Sequence, residues 1–179
     1  LMTVWFTSDL HIGHRWAAED RGHPDTDTHD AQLAERCDAV VRPADQVWVL
    51  GDISVGGNRS QHNALAWFSE RPGVKHLIAG NHDGCHPMHR NAHKWMPLYM
   101  QTFASVAPAA RRRIGDNSVL LSHFPYRDEH VSPHRHDQWK LPDCGVPILH
   151  GHTHSAQVGT QSTRRTPQVH VGVDAWGEP

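Results

Sequence analysis

The residues best suited to chemistry fall in five short blocks, each closing an apolar run. Asp9-Leu10-His11 follows residues 4–7, and Gly51-Asp52 closes 47–50. Gly80-Asn81-His82-Asp83 follows 76–79, Ser122-His123 follows 119–121, and His150-Gly151-His152-Thr153-His154 follows 146–149. Asp9 and His11 are two residues apart, as are His152 and His154, so in extended backbone each pair projects to one face. Carboxylates, imidazoles and one amide oxygen, with no thiolate, suit borderline cations such as Mn²⁺, Fe²⁺ or Zn²⁺ better than oxygen-only Mg²⁺ or Ca²⁺ sites. The candidate ligands are Asp9, His11, Asp52, Asn81, His123, His152 and His154. One tetrahedral ion needs about four ligands, so the surplus points to two ions, with the isolated acid Asp52 best placed to bridge them.

Short apolar, β-branched runs bounded by glycine and polar residues read as buried strands. Between them, Thr28 or Asp30 caps an expected helix that runs through Val41 and stops at Pro43. Ser60 caps a second that ends at Arg71-Pro72-Gly73, and a weaker one covers 88–96. Alternating strands and helices predict an α/β layered fold. Residues 110–114 and 118–121 flank Gly115-Asp116-Asn117 as a hairpin with a three-residue turn, and 169–173 reads as a last strand. Residues 127–143, with His130, His134 and His136, lack periodicity and read as a surface loop over the site. Ligands of α/β sheets gather outside the carboxyl ends of strands, where all five blocks fall. Carboxylates and imidazoles placed there need partners, and metal ions supply them. Singly, each block has a plainer reading, since Gly51-Asp52 could merely end a strand; five in order favour one site.

The chain has 179 residues, read as one domain over 2–179, with 37% hydrophobic residues. Its 17 basic and 19 acidic residues give a net charge of −2, which does not favour polyanion binding. Arg111-Arg112-Arg113 is therefore read as protection of an edge strand. Three cysteines without a close pair imply free thiols in a reducing compartment. No apolar run nears the ~20 residues of a membrane span, and no signal-peptide pattern opens the chain, so a cytoplasmic location is expected and no membrane partner. Of the 18 histidines, His14 and His150 are expected to support the ligands, while His86, His89 and His93 read as a solvated helix face. Trp67-Phe68 and Trp95-Met96 read as core, and Cys85 as inert.

Taken in order, Asp9-x-His11, Gly51-Asp52, Gly80-Asn81-His82-Asp83, Ser122-His123 and Gly151-His152-Thr153-His154 resemble the calcineurin-like metallophosphoesterase superfamily. The opening 5–14 and closing 171–176 resemble its small bacterial and phage members. The resemblance implies an α/β fold, a four-layer α/β/β/α sandwich of two mixed β-sheets flanked by helices. It implies two divalent metal ions, Mn²⁺ foremost, with Fe, Zn or Ni as alternatives. By the family pattern one ion takes Asp9, His11, Asp52 and His154, and the other takes Asp52, Asn81, His123 and His152. His82 matches the family's non-ligand histidine, expected to protonate the leaving group, with Asp83 orienting it. The implied activity is a phosphodiesterase acting on small or nucleotide phosphodiesters, cyclic nucleotides included, through a hydroxide shared by the ions. A phosphomonoesterase or protein phosphatase of the same fold is the alternative, and a non-catalytic metal-binding scaffold a third, which the full ligand set disfavours. The motifs occupy most of the chain and leave no room for a capping or DNA-binding domain. Nucleic acid is not the favoured substrate, and the sequence does not specify an oligomeric state. Amidohydrolase barrels need roughly 250 residues, and the metallo-β-lactamase His-x-His-x-Asp-His cluster does not occur.

Overall fold

Strands β1 (Val4–Thr7), β2 (Gln46–Val49), β3 (Val74–Ile78) and β4 (Ser105–Ala107) lie side by side in that order, all parallel. The structure, a computed structural model, describes residues 2–126 and 135–176. Parallel neighbours require crossovers. They are supplied by α1 (Arg15–Asp20) and α2 (Thr26–Val40), by α3 (Asn58–Glu70) and by α4 (Ala92–Thr102). After β4 the chain passes Pro108 into a second sheet of β5 (Ala109–Ile114), β6 (Asn117–Ser122), β7 (Ile148–His150), β8 (Gly159–Gln161) and β9 (Pro167–His170), ordered β5-β6-β7-β9-β8. Here β6, β7 and β9 are parallel, and both edge strands are antiparallel to their neighbours. A single turn, α5 (Val173–Trp176), closes the described chain.

Alternation along the strands sorts the core into two layers. Val47, Val49 and Leu77 cluster with Leu33 of α2, Leu65 and Phe68 of α3 and Tyr99 of α4. Phe6 and Trp48, on the opposite face, join Leu50, Ile78, Val119, Leu121 and Val171 between the sheets. Arg112 of edge strand β5 caps this second layer, with its guanidinium over the Trp48 ring at 5.0 Å and a bond to Gln46 Oε1 of 2.9 Å. The arginine run thus lies on an edge strand, as expected, but its middle member packs inward. Beyond β1 and β9, Ser8 and Gly172 form a parallel bridge, so the sheets are joined where their parallel strands end.

The expected two-sheet α/β fold is present, with differences. Only the second sheet is mixed. Among the described residues, every helix longer than six residues packs on the first sheet. Helix α2 is capped by Asp25, whose carboxylate accepts the Thr28 N–H at 2.7 Å, and not by Thr28 or Asp30. Helix α3 starts at Asn58 after Gly57, without a side-chain cap. The helix expected over 88–96 begins at Ala92, because residues 83–91 make successive turns around Pro87. The hairpin turn has two residues, since Asn117 pairs with Ile114. The last strand ends at His170, and Val173 opens α5. Of the loop expected over 127–143, residues 127–134, with His130 and His134, lie outside the described residues. A 3₁₀ turn, Asp137–Trp139, follows them.

Two glycines let the loops after β2 and β3 touch. A Cβ on Gly51 would lie 2.7 Å from the Gly80 Cα, and one on Gly80 would overlap Asp52 Oδ1 and come 2.6 Å from the Asp52 nitrogen. Gly80→Ala is therefore expected to destabilise the fold by about 1–3 kcal/mol, as overpacking does. Gly115→Ala, in open space at φ 57°, should cost only left-handed strain of about 1 kcal/mol. Urea unfolding of the two variants side by side checks this order.

Candidate metal centre

Every candidate ligand sits just past the C-terminal end of a strand: Asp9 and His11 after β1, Asp52 after β2, Asn81 after β3, His123 after β6, His152 and His154 after β7. Five of the seven non-glycine residues described with positive φ are among them: Asp9, His11, Asp52, His152 and His154. Each such conformation costs about 1–3 kcal/mol and persists only where its surroundings enforce it. Cross-loop bonds do so here. Asp9 N donates to Gly51 O at 3.0 Å and His11 N to Asp52 O at 3.2 Å. The His152 N–H donates to the Asp9 carboxylate at 3.0 Å.

Two clusters of donor atoms result: Asp9, His11 and His154, and Asp52, His123 and His152, with the atoms of each within 4.8 Å of one another. In the first, the Asp9 carboxylate is fully buried beside the Ser8 hydroxyl at 2.6 Å. Burial opposes its charge, but the imidazoles of His170 and His123 and the Ser8 hydroxyl hold it well below the usual carboxylate range. His11 Nδ1 donates to Ser54 O and His154 Nδ1 to Asp174, which leaves the two Nε2 atoms facing each other at 3.1 Å. Burial pushes His11 down to about 4, against the pull of Asp52 and Asp9, while Asp174 raises His154.

In the second, His123 Nδ1 donates to Leu50 O at 2.8 Å, and its Nε2 faces Asn81 Oδ1 at 3.1 Å and Asp52 Oδ2 at 3.4 Å. Burial disfavours a charged His123, but the Asp52 and Asp9 carboxylates prevail and raise it to about 9. His152 is pushed down to about 3 by burial and by His123. Lone pairs of nitrogen and oxygen thus converge on two points, each needing a positive centre. Divalent cations fit that donor set, and protons fill the role without them.

His82 stands over this arrangement with its side chain 42% exposed. Its backbone N–H donates to Asp52 Oδ1 at 2.8 Å, and its ring lies 5.6 Å from that of His11. Asp83 does not orient it, contrary to expectation. The Asp83 carboxylate accepts the N–H groups of Gly80 (2.7 Å), Asp52 (2.9 Å) and Ile53 (3.1 Å), and so clamps the β2 and β3 loops together. Burial and the neighbouring Asp52 charge push its carboxyl up to about 7, against those three donors.

Several supporting residues escape sequence reading. All five N–H groups of Arg21 are engaged: two with Asp174 (2.8 and 3.1 Å), and the others with Asp9 O, Leu10 O and His29 Nε2. Asp174 then fixes His154 through Nδ1 at 2.8 Å, the carboxylate–histidine relay common behind metal ligands. His89 donates to the Asn81 carbonyl at 2.8 Å, and His86 is buried with Nδ1 accepting the Met88 N–H, so neither lies on a solvated helix face. His14 precedes α1 with its ring 5.7 Å from that of His11, and buried His150 stacks on His170 at 5.5 Å. His136, left-handed at φ 64°, stacks on Phe124 at 5.3 Å, with its ring 5.8 Å from that of His152. Cys85 is buried, and its thiol is raised beyond useful ionisation. Two clefts open beside the clusters, of about 550 and 430 Å³, and His82 lines both.

Comparison with known proteins agrees with this geometry. The calcineurin-like phosphoesterase superfamily domain matches residues 2–172. The Gene 66 proteins of Mycobacterium phages L5 and D29 are each 50% identical to this chain, across 99% and 98% of it and 89% and 90% of their own lengths. A crystal structure of AQ665 from Aquifex aeolicus, described as a protein of unknown function, superposes with a TM-score of 0.68 over 99% of this chain and 92% of that one; at 19% identity it shows the fold alone. No helix among the described residues is long and apolar enough to cross a membrane. With residues 2–172 matched and its Asp, Asn and His residues gathered at the strand ends, the chain belongs to the calcineurin-like phosphoesterase superfamily of metal-dependent phosphate-ester hydrolases.

Proposed function

We propose that this protein is a phosphodiesterase for small or nucleotide diesters that holds two divalent cations, Mn²⁺ foremost. Asp9, His11, Asp52 and His154 would hold one, and Asp52, Asn81, His123 and His152 the other. The carrying observation is that His82 borders two clefts at once, so a phosphate seated below it has room for one ester arm on each side. A bound cation pair supplies charge neutralisation at the phosphoryl oxygens and an activated water nucleophile. Burial keeps His11 and His152 uncharged at neutral pH, with lone pairs free. Arg21 and Asp174 hold His154 in the tautomer that presents Nε2. The exposed imidazole of His82 is placed to give a proton to the leaving oxygen, a contribution of about 10²–10⁴-fold in general acid catalysis.

Three measurements test this reading. Asp52→Ala should lose both cations by elemental analysis; a variant that keeps two removes Asp52 from the bridging role. His82→Ala should keep both cations yet lose about 10²–10⁴-fold on a diester with a poor leaving group and far less on bis(p-nitrophenyl) phosphate. Equal losses on the two refute the proton-donor role, and faster turnover of p-nitrophenyl phosphate than of the diester would make the protein a monoesterase. The third follows from His123, raised from 6.5 to about 9. Its proton stabilises the metal-free fold fully below pH 6.5, and that contribution is lost as pH rises through about 9. Cations displace this proton, so Mn²⁺ affinity should rise with pH up to about 9, with proton release on binding; a pH-independent affinity contradicts the assignment.

A further inference from the structure

Trp16 is 74% exposed, the most of any large hydrophobic side chain among the described residues, although an indole has much apolar surface to bury. It does not sit on a loose element. Helix α1 buries Ala18 completely and ends at Arg21, whose guanidinium binds the Asp9 and Leu10 carbonyls beside the metal centre. The backbone of Trp16 is therefore anchored, and its side chain lines the 550 Å³ cleft with His11, His82 and His154. That volume lies in the range of small-molecule sites. The same cleft carries the carboxylates of Glu19, paired with Arg15 at 2.6 Å, and Asp20. Among the described residues, the cleft on the other side of His82 is lined by no carboxylate and carries Arg90 instead. The two arms of a substrate thus meet different chemistry. One side offers the exposed indole of Trp16 with carboxylate acceptors for amino groups, the other amides, a cation and the half-buried indole of Trp95.

We propose that Trp16 stacks the base of a nucleoside arm and is the residue that selects esters with an uncharged, amino-bearing aromatic arm over alkyl ones. This deepens the diesterase reading and rests on it for turnover, though not for binding. The test uses the Mn²⁺-loaded protein and two esters with one leaving group, the p-nitrophenyl esters of adenosine 5′-phosphate and of methyl phosphate. The wild type should prefer the adenosine ester in kcat/KM. Trp16→Ala should reduce that preference about ten-fold, as loss of a base–aromatic stack does, and Trp16→Phe should restore most of it. Calorimetric affinities for adenosine 5′-phosphate and methyl phosphate give a readout independent of turnover, and the gap between them should narrow in Trp16→Ala alone. If neither ester is cleaved but that gap narrows, the diesterase reading falls and the role of Trp16 stands. An unchanged preference and gap, or equal loss for both esters and both ligands, overturns the proposal. So does a Trp16→Ala change that leaves selectivity intact but alters the mass found by sedimentation, which would assign Trp16 to a protein interface.

Discussion

Two carboxylates, those of Asp9 and Asp52, are almost wholly removed from water, and no ammonium or guanidinium among the described residues meets either side chain. A buried charge without a counter-charge is costly by several kcal/mol. Their partners are a hydroxyl, backbone N–H groups and imidazoles. The arrangement is stable only if positive charge arrives as protons on histidine or as bound cations, and much of the surrounding structure serves to keep that place available. Nδ1 atoms of three histidines are committed to acceptors, so that Nε2 atoms converge.

The fold contributes direction and closeness. Parallel strands deliver all the donor-bearing loops to one edge, and the Ser8–Gly172 bridge joins the two sheets at that edge. Left-handed backbone at Asp9, His11, Asp52, His152 and His154 turns side chains inward where extended chain would carry them past each other. The strain is offset by bonds between loops. Chief among them are the Asp83 carboxylate, which draws three amides together, and Arg21, which spends all its donors on the β1 loop, His29 and Asp174. Both are ionisable groups serving geometry, one step behind the atoms that would meet a cation or a substrate.

Relations between this protein and its relatives follow the same division. Its likeness to the phage Gene 66 proteins extends over nearly the whole chain, whereas its likeness to the Aquifex aeolicus structure at 19% identity is one of fold. A common scaffold that places donors at strand ends leaves the walls around them free to vary. In this chain those walls are unlike one another: exposed Trp16 with Glu19 and Asp20 on one side of His82, Arg90 and half-buried Trp95 with side-chain amides on the other.

By itself the sequence determined the strands that carry the site and the residues at their ends, because a strand's apolar run and the polar residue that stops it are local. It also determined the superfamily, since the five blocks occur in order. Helix starts were less legible: the cap of α2 lies at Asp25, upstream of its apolar pattern, and turns around Pro87 delay α4 to Ala92. Strands β4 and β8, three residues each, carry too little pattern to be seen. Only the tertiary structure decided the work of Asp83, whose carboxylate accepts from amides about 30 residues earlier. It alone paired Arg21 with Asp174 across 153 positions, turned His89 onto Asn81, and set Trp16 in the wall of the cleft. Such contacts depend on which loops the two sheets bring face to face, and no periodicity in the chain records that.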